Sequence, residues 1–203
     1  MGSFSIWHWL IIAIFIGAFY GVYRFAKRTP PANTSASGPV GVGGWLLLLV
    51  AGLMFLGPIM GAGSLNSGIT SIESQYPNLL TVPAWITFKS ASWWSFVVVC
   101  CLSFYAGLGL AKGRDFSVVK RAKILLWVIG PIASIVMRIF IPLAVFGKVE
   151  SDPQFFGSLI GSVVGAAIWT AYLSKSRRVK ATYPPTLSEE EGSVQQSAPA
   201  AHR

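Results

Sequence analysis

Five stretches of this chain each run for about twenty residues with almost no charge, and no other feature narrows the possible fold as much. At about 1.5 Å of rise per residue, twenty helical residues cover about 30 Å, the thickness of a bilayer's hydrocarbon core. Backbone amides in hydrocarbon must find partners within the chain, which leaves helices and closed barrels as the spanning structures. The runs are continuously apolar rather than alternating, so they read as helices. They cover Phe4 to about Tyr23, Trp45 to Ala62, Trp93 to Ala111, about Ile124 to Phe146, and Phe155 to about Leu173. A mean hydropathy of +0.60 with 11% charged residues leaves too little polar surface to cover a soluble globule. The expected fold class is all-α, a polytopic membrane helical bundle of about five transmembrane helices.

Composition between the runs sets the boundaries. Residues 1–26 read as an N-terminal transmembrane anchor. No Lys or Arg precedes its apolar run, which ends in Tyr23-Arg24-Phe25 rather than in a small-residue cleavage site, so an uncleaved anchor is expected over a signal peptide. Residues 27–43, with Pro30, Pro31, Pro39, Gly38, Gly41 and Gly43, can neither bury apolar area nor hold a helix, and read as a flexible cytoplasmic linker. Residues 44–175 form a four-span membrane domain, and 176–203 a tail that begins basic and turns Pro-, Ser- and Glu-rich, expected to be disordered. Gly57-Pro58 should kink or end the second helix, and Gly130-Pro131 with Pro142 should bend the fourth. The polar and turn residues from Gly63 to about Ser92 read as a long extramembrane loop, with or without a short interfacial helix.

The net charge of +9 resides at the ends of the apolar runs rather than on a folded polar domain, which excludes a nucleic-acid partner. Five spans put Arg24, Lys27, Arg28, Lys112, Arg114, Lys120, Arg121, Lys123, Lys175, Arg177, Arg178, Lys180 and Arg203 on one side. Lys89 and Lys148 fall on the other, with Arg138 inside a span. By the positive-inside rule the first side is cytoplasmic, giving an N-out/C-in multi-pass topology.

From about Val42 to Tyr183 the sequence resembles a family of bacterial integral membrane proteins catalogued as domain of unknown function 2569. The resemblance is carried by Gly43-Gly44-Trp45-Leu46, Tyr76-Pro77, Pro83-Ala84-Trp85, Tyr105-Ala106-Gly107, Trp127 with Gly130-Pro131, and Arg178-Val179-Lys180-Ala181-Thr182. It implies a four-span core from Trp45 to Leu173 and a place in a bacterial cytoplasmic (inner) membrane, and it brings no activity. Phe4-Ser5-Ile6-Trp7-His8-Trp9-Leu10 resembles the start of the single-span A component of the twin-arginine translocase. The amphipathic helix that follows the span there has no counterpart in Thr29-Pro30-Pro31-Ala32-Asn33, so the likeness implies a shared way of inserting an N-out helix.

Few residues suggest chemistry. Arg138 either faces the bundle interior, binding an anion or pairing with Glu73, or snorkels to the headgroups from the outer third of its helix. Gly157, Gly161 and Gly165 recur every four residues, a stripe that admits a close helix neighbour, with packing inside the chain expected over packing against another copy. His8 sits in an aromatic belt, and Cys100 and Cys101 read as buried apolar residues. The Lys112 to Lys123 cluster suits anionic lipid or a topogenic role equally. The sequence offers no activated nucleophile, metal cluster or carboxylate pair, so no catalytic residue, metal or cofactor is expected. Carboxylates are absent from the spans, which argues against ion-coupled transport. The expectation is a non-enzymatic accessory or scaffold subunit contacting membrane lipids and other membrane proteins or itself. A small uncoupled transporter or oligomeric channel is the alternative.

Overall fold

The computed structural model of the chain describes residues 16–17, 20–24, 41–149 and 153–184. Most of the expected first span, the linker up to residue 40 and the tail beyond Pro184 lie outside these residues. Four helices among them are long and apolar enough to cross a bilayer: α1 (Trp45–Gln75), α2 (Pro83–Lys112), α3 (Phe116–Phe146) and α4 (Pro153–Lys175). A short α5 (Arg177–Thr182) follows, and the described residues contain no strand. The molecule is an all-α helical membrane bundle.

The helices outrun the apolar runs. At 31 residues, α1 and α3 are each about 46 Å long, well beyond the roughly 30 Å hydrocarbon core. Hydropathy marks the stretch in contact with lipid, whereas a helix continues as long as its own hydrogen bonds and side-chain packing persist. The expected loop from Gly63 to Ser92 therefore shrinks to a connection at residues 76–82. α1 carries on through Ser64, Asn66 and Ser71 to Gln75, and α2 starts at Pro83, ten residues before Trp93. At the other end of α2, the basic loop reduces to residues 113–115, because Lys120, Arg121 and Lys123 belong to the first turns of α3.

Prolines neither end nor break these helices. Each of the three within α1 and α3 sits in or just after a turn of π-helix: Gly52–Leu56 before Pro58, Val128–Ile132 around Pro131, and Val136–Phe140 before Pro142. A π turn carries one extra residue, which moves the facing carbonyl away from the proline ring and lets the helix continue past the missing N–H. Glycine serves where the backbone must turn left-handed. Gly44 precedes α1 at φ +57°, and Gly147 ends α3 at φ +68°.

α2 packs between α1 and α3, and α4 lies along α3. Packing is dense at the basic end, where Leu46, Leu49, Val50, Leu110, Val119, Ala122, Leu173, Val179 and Tyr183 form one buried cluster, joined by Val22 of the described N-terminal residues. Toward the opposite end the buried set thins to residues such as Ile69, Trp85 and Ser92. Trp94, Val98, Ile124, Phe140, Ile160 and Ile168 point outward, as side chains bathed in hydrocarbon do. Lipid tails are as apolar as leucine, so small residues set where these helices touch. A Cβ on Gly107 would lie 2.5 Å from Met54 Cγ and 3.4 Å from the Val50 carbonyl, and one on Gly130 would lie 3.7 Å from the Ser162 carbonyl. These are the crossings of α1 with α2 and of α3 with α4.

Candidate functional site

At mid-depth the π turn of α1 creates a polar demand. Gly57 N–H donates to the Gly52 carbonyl, and the next donor in that register, position 58, would serve Leu53. Pro58 has no N–H. Ser103 of α2 supplies the missing donor, its Oγ lying 2.7 Å from the Leu53 carbonyl in a buried setting. Beside this bond is a cavity of about 310 Å³ lined by Gly52, Leu53, Gly57, Pro58, Gly61, Phe96, Val99, Cys100, Ser103 and Ile129. Its wall is mainly apolar, with the Ser103 hydroxyl and Cys100 thiol as its side-chain polar groups. A second cross-helix bond runs from Trp127 Nε1 of α3 to Thr170 Oγ1 of α4 at 3.2 Å.

The basic end is built by the returning C-terminus. Ser176 caps α5, its Oγ accepting from Val179 N–H at 3.5 Å, and the helix buries Val179 and Thr182 against the bundle. Thr182 Oγ1 accepts from Gly41 N–H at 3.0 Å, and the Tyr183 hydroxyl donates to the Leu110 carbonyl, one of the last four of α2, which lack partners within a helix. The guanidinium of Arg178 covers Gly43 and Gly44, where a Cβ would come within 2.8 and 3.1 Å of its Nη1. Burial pushes the Tyr183 phenol above the usual tyrosine range, with nearby Arg114 partly offsetting it. Around this plug stand Lys112, Arg114, Lys120, Arg121, Lys123, Lys175, Arg177, Arg178 and Lys180. Asp115 is the single carboxylate among the described residues here. Lys120 and Lys123 lie 5.5 and 5.8 Å from the Phe116 ring centre.

The residues singled out from sequence are scattered. Glu73, near the end of α1, accepts hydrogen bonds from Trp85 Nε1 at 3.0 Å and Lys89 Nζ at 2.8 Å, both on α2. These contacts clamp the α1–α2 hairpin at the end away from the cationic cluster. Arg138 lies in the second π turn of α3 with its side chain exposed, eight residues or about 12 Å from the helix end. Among the described residues nothing packs on Gly157, Gly161 and Gly165, since a Cβ on any of them would meet no described atom within 4 Å. α4 instead meets α3 through Ser162, Ala166 and Thr170, also four residues apart but rotated by about 100° per residue from the glycines. Cys101 is exposed and Cys100 only partly covered, so neither is the buried apolar residue expected. His8 lies outside the described residues.

Sequence reasoning gave no role to Ser103 or Thr170, and reached Thr182 and Tyr183 only as part of the family resemblance, without their contacts. The first had a signal, since Pro58 announces an unserved carbonyl and a serine on a neighbouring span can supply it. The contacts of Thr182 and Tyr183 depend on the chain doubling back after α4, which no local pattern encodes. All but Tyr76-Pro77 of the segments that carried the family resemblance have a mechanical place: Gly43-Gly44 under Arg178, Trp85 on Glu73, Gly107 and Gly130 at helix crossings, and Arg178 to Thr182 as the plug. The family model described as Protein of unknown function (DUF2569) matches residues 39–184. No curated protein and no solved structure matches the chain.

Proposed function

The chain belongs to the family of proteins of unknown function DUF2569, and on that premise we propose that it is a non-enzymatic accessory or scaffold subunit of a bacterial cytoplasmic membrane, its basic end in the cytoplasm. It contacts lipid and other membrane proteins, and needs no cofactor or nucleic acid. The observation that carries this reading is the open glycine stripe of α4. Gly157, Gly161 and Gly165 present a face stripped of side chains that no part of the described chain uses, and such faces admit a second helix backbone closely. Only 11% of the apolar window of α4 is buried, so most of that helix is available to a partner.

Cross-linking and co-purification from native membranes test the reading. Wild-type protein should bring down a defined membrane partner or itself, and Gly161→Leu should abolish the capture while leaving the melting temperature of the purified protein unchanged. A lone monomer that carries a solute across reconstituted vesicles would overturn it. A small uncoupled transporter or channel is the second reading, favoured by the cavity that the π-interrupted α1 forms with α2, with Ile129 of the π-interrupted α3 in its wall.

A further inference from the structure

We propose that the plug at the basic end is a binding surface for the phosphate headgroups of anionic phospholipids, held at a fixed depth by α5. This deepens the lipid contact of the proposed function and rests on the same view of the basic end as a membrane face. α5 buries Val179 and Thr182, which leaves Arg177 and Lys180 exposed on its far side. The helix is not a loose tail. The Gly41–Thr182 and Tyr183–Leu110 hydrogen bonds and the Arg178 guanidinium over Gly43-Gly44 fix it across the end of the bundle. Its first residue comes two after the end of α4, which places the exposed cations where a spanning helix leaves the hydrocarbon.

Charge identifies the partner. Lys112 and Arg114 stand beside the plug, with the cations of the first turns of α3 next to them and Asp115 as the described carboxylate among them. Such a concentration of one sign stores repulsion that an anionic surface relieves, and juxtamembrane Lys and Arg residues favour anionic headgroups in this way. Phe116, flanked by Lys120 and Lys123, adds the aromatic-and-cation pairing found at headgroup level.

The test uses the full-length protein in a neutral detergent, mixed with phosphatidylglycerol or phosphatidylcholine and read by native mass spectrometry. Phosphatidylglycerol should be retained in preference, and Arg177→Gln and Lys180→Gln should each lower that preference roughly fivefold. Both side chains are exposed, so these substitutions remove charge rather than packing. Lys148→Gln, on the connection after α3, should leave the preference unchanged. Equal retention of the two lipids, an equal effect of Lys148→Gln, or displacement of phosphatidylglycerol by inorganic phosphate at the same concentration would overturn the proposal. Retention of a co-purifying acidic protein in place of lipid would overturn it too. Binding in micelles does not depend on sidedness, so failure here is distinguishable from failure of the cytoplasmic assignment.

Discussion

Replacing Ser103 by alanine tests whether the serine exists to serve a carbonyl that Pro58 leaves without a donor. The hydroxyl is buried and lies 2.7 Å from the Leu53 oxygen, and its loss strands that oxygen among Gly57, Pro58 and Phe96 in the middle of the bundle. An unsatisfied buried acceptor costs about 1 to 3 kcal/mol in water-soluble proteins, but hydrogen bonds between membrane helices average about 0.6 and reach about 1.7. The expected destabilisation is therefore about 1 kcal/mol, measured as the unfolding free energy in a titration of mild-detergent micelles with dodecyl sulfate. The discriminating variant is Pro58→Ala, which gives position 58 an N–H in register with the same carbonyl. In that background Ser103→Ala should cost about a third as much or less, because the backbone now provides a donor, leaving a coupling of about 0.6 kcal/mol or more. Equal costs of Ser103→Ala in the two backgrounds would show that the serine and the proline are unrelated, and would refute the reasoning.

Gly107→Ala should destabilise the bundle by about 1 to 3 kcal/mol in the same titration, because its new Cβ meets Met54 Cγ at 2.5 Å between two packed helices. Gly157→Ala, whose Cβ enters open space, should leave stability unchanged or slightly raise it. Tyr183→Phe should cost about 1 kcal/mol by leaving the Leu110 carbonyl without its donor. It should also flatten the alkaline limb of the stability profile: the folded pKa is raised, so the neutral phenol's contribution is complete below its ordinary value near 10 and is lost as pH climbs through the folded value. A difference between wild type and Tyr183→Phe that stayed constant across that limb would contradict this assignment.

The spans were legible because hydrocarbon is an unforgiving solvent. Continuous apolar runs located the bodies of α1 to α4, and the glycine pairs and prolines marked where those helices would be irregular. Their true lengths were hidden, since nothing in Ser64, Asn66 or Ser71 says that a polar segment remains helical once Ile69 packs and Glu73 meets Trp85 and Lys89. The form of the irregularity was hidden too. Proline announces a lost hydrogen bond, whereas the π turn that carries the helix past it depends on the neighbouring helix. Glycine spacing was the most misleading signal. It identified a smooth face on α4 but not the face that meets α3, because Ser162, Ala166 and Thr170 make a second small-residue stripe one residue over. Periodicity cannot choose between adjacent stripes; the direction of α3 does.

The account depends on the basic end of the bundle facing the cytoplasm. A reporter enzyme that matures only outside the cytoplasm, fused after Tyr183 in the full-length background, measures this directly. It should be inactive there and become active when fused within the 76–82 connection at the opposite end of α1 and α2. Strong activity after Tyr183, or equal activity at both positions, would contradict the orientation and with it the lipid and partner contacts assigned to each face.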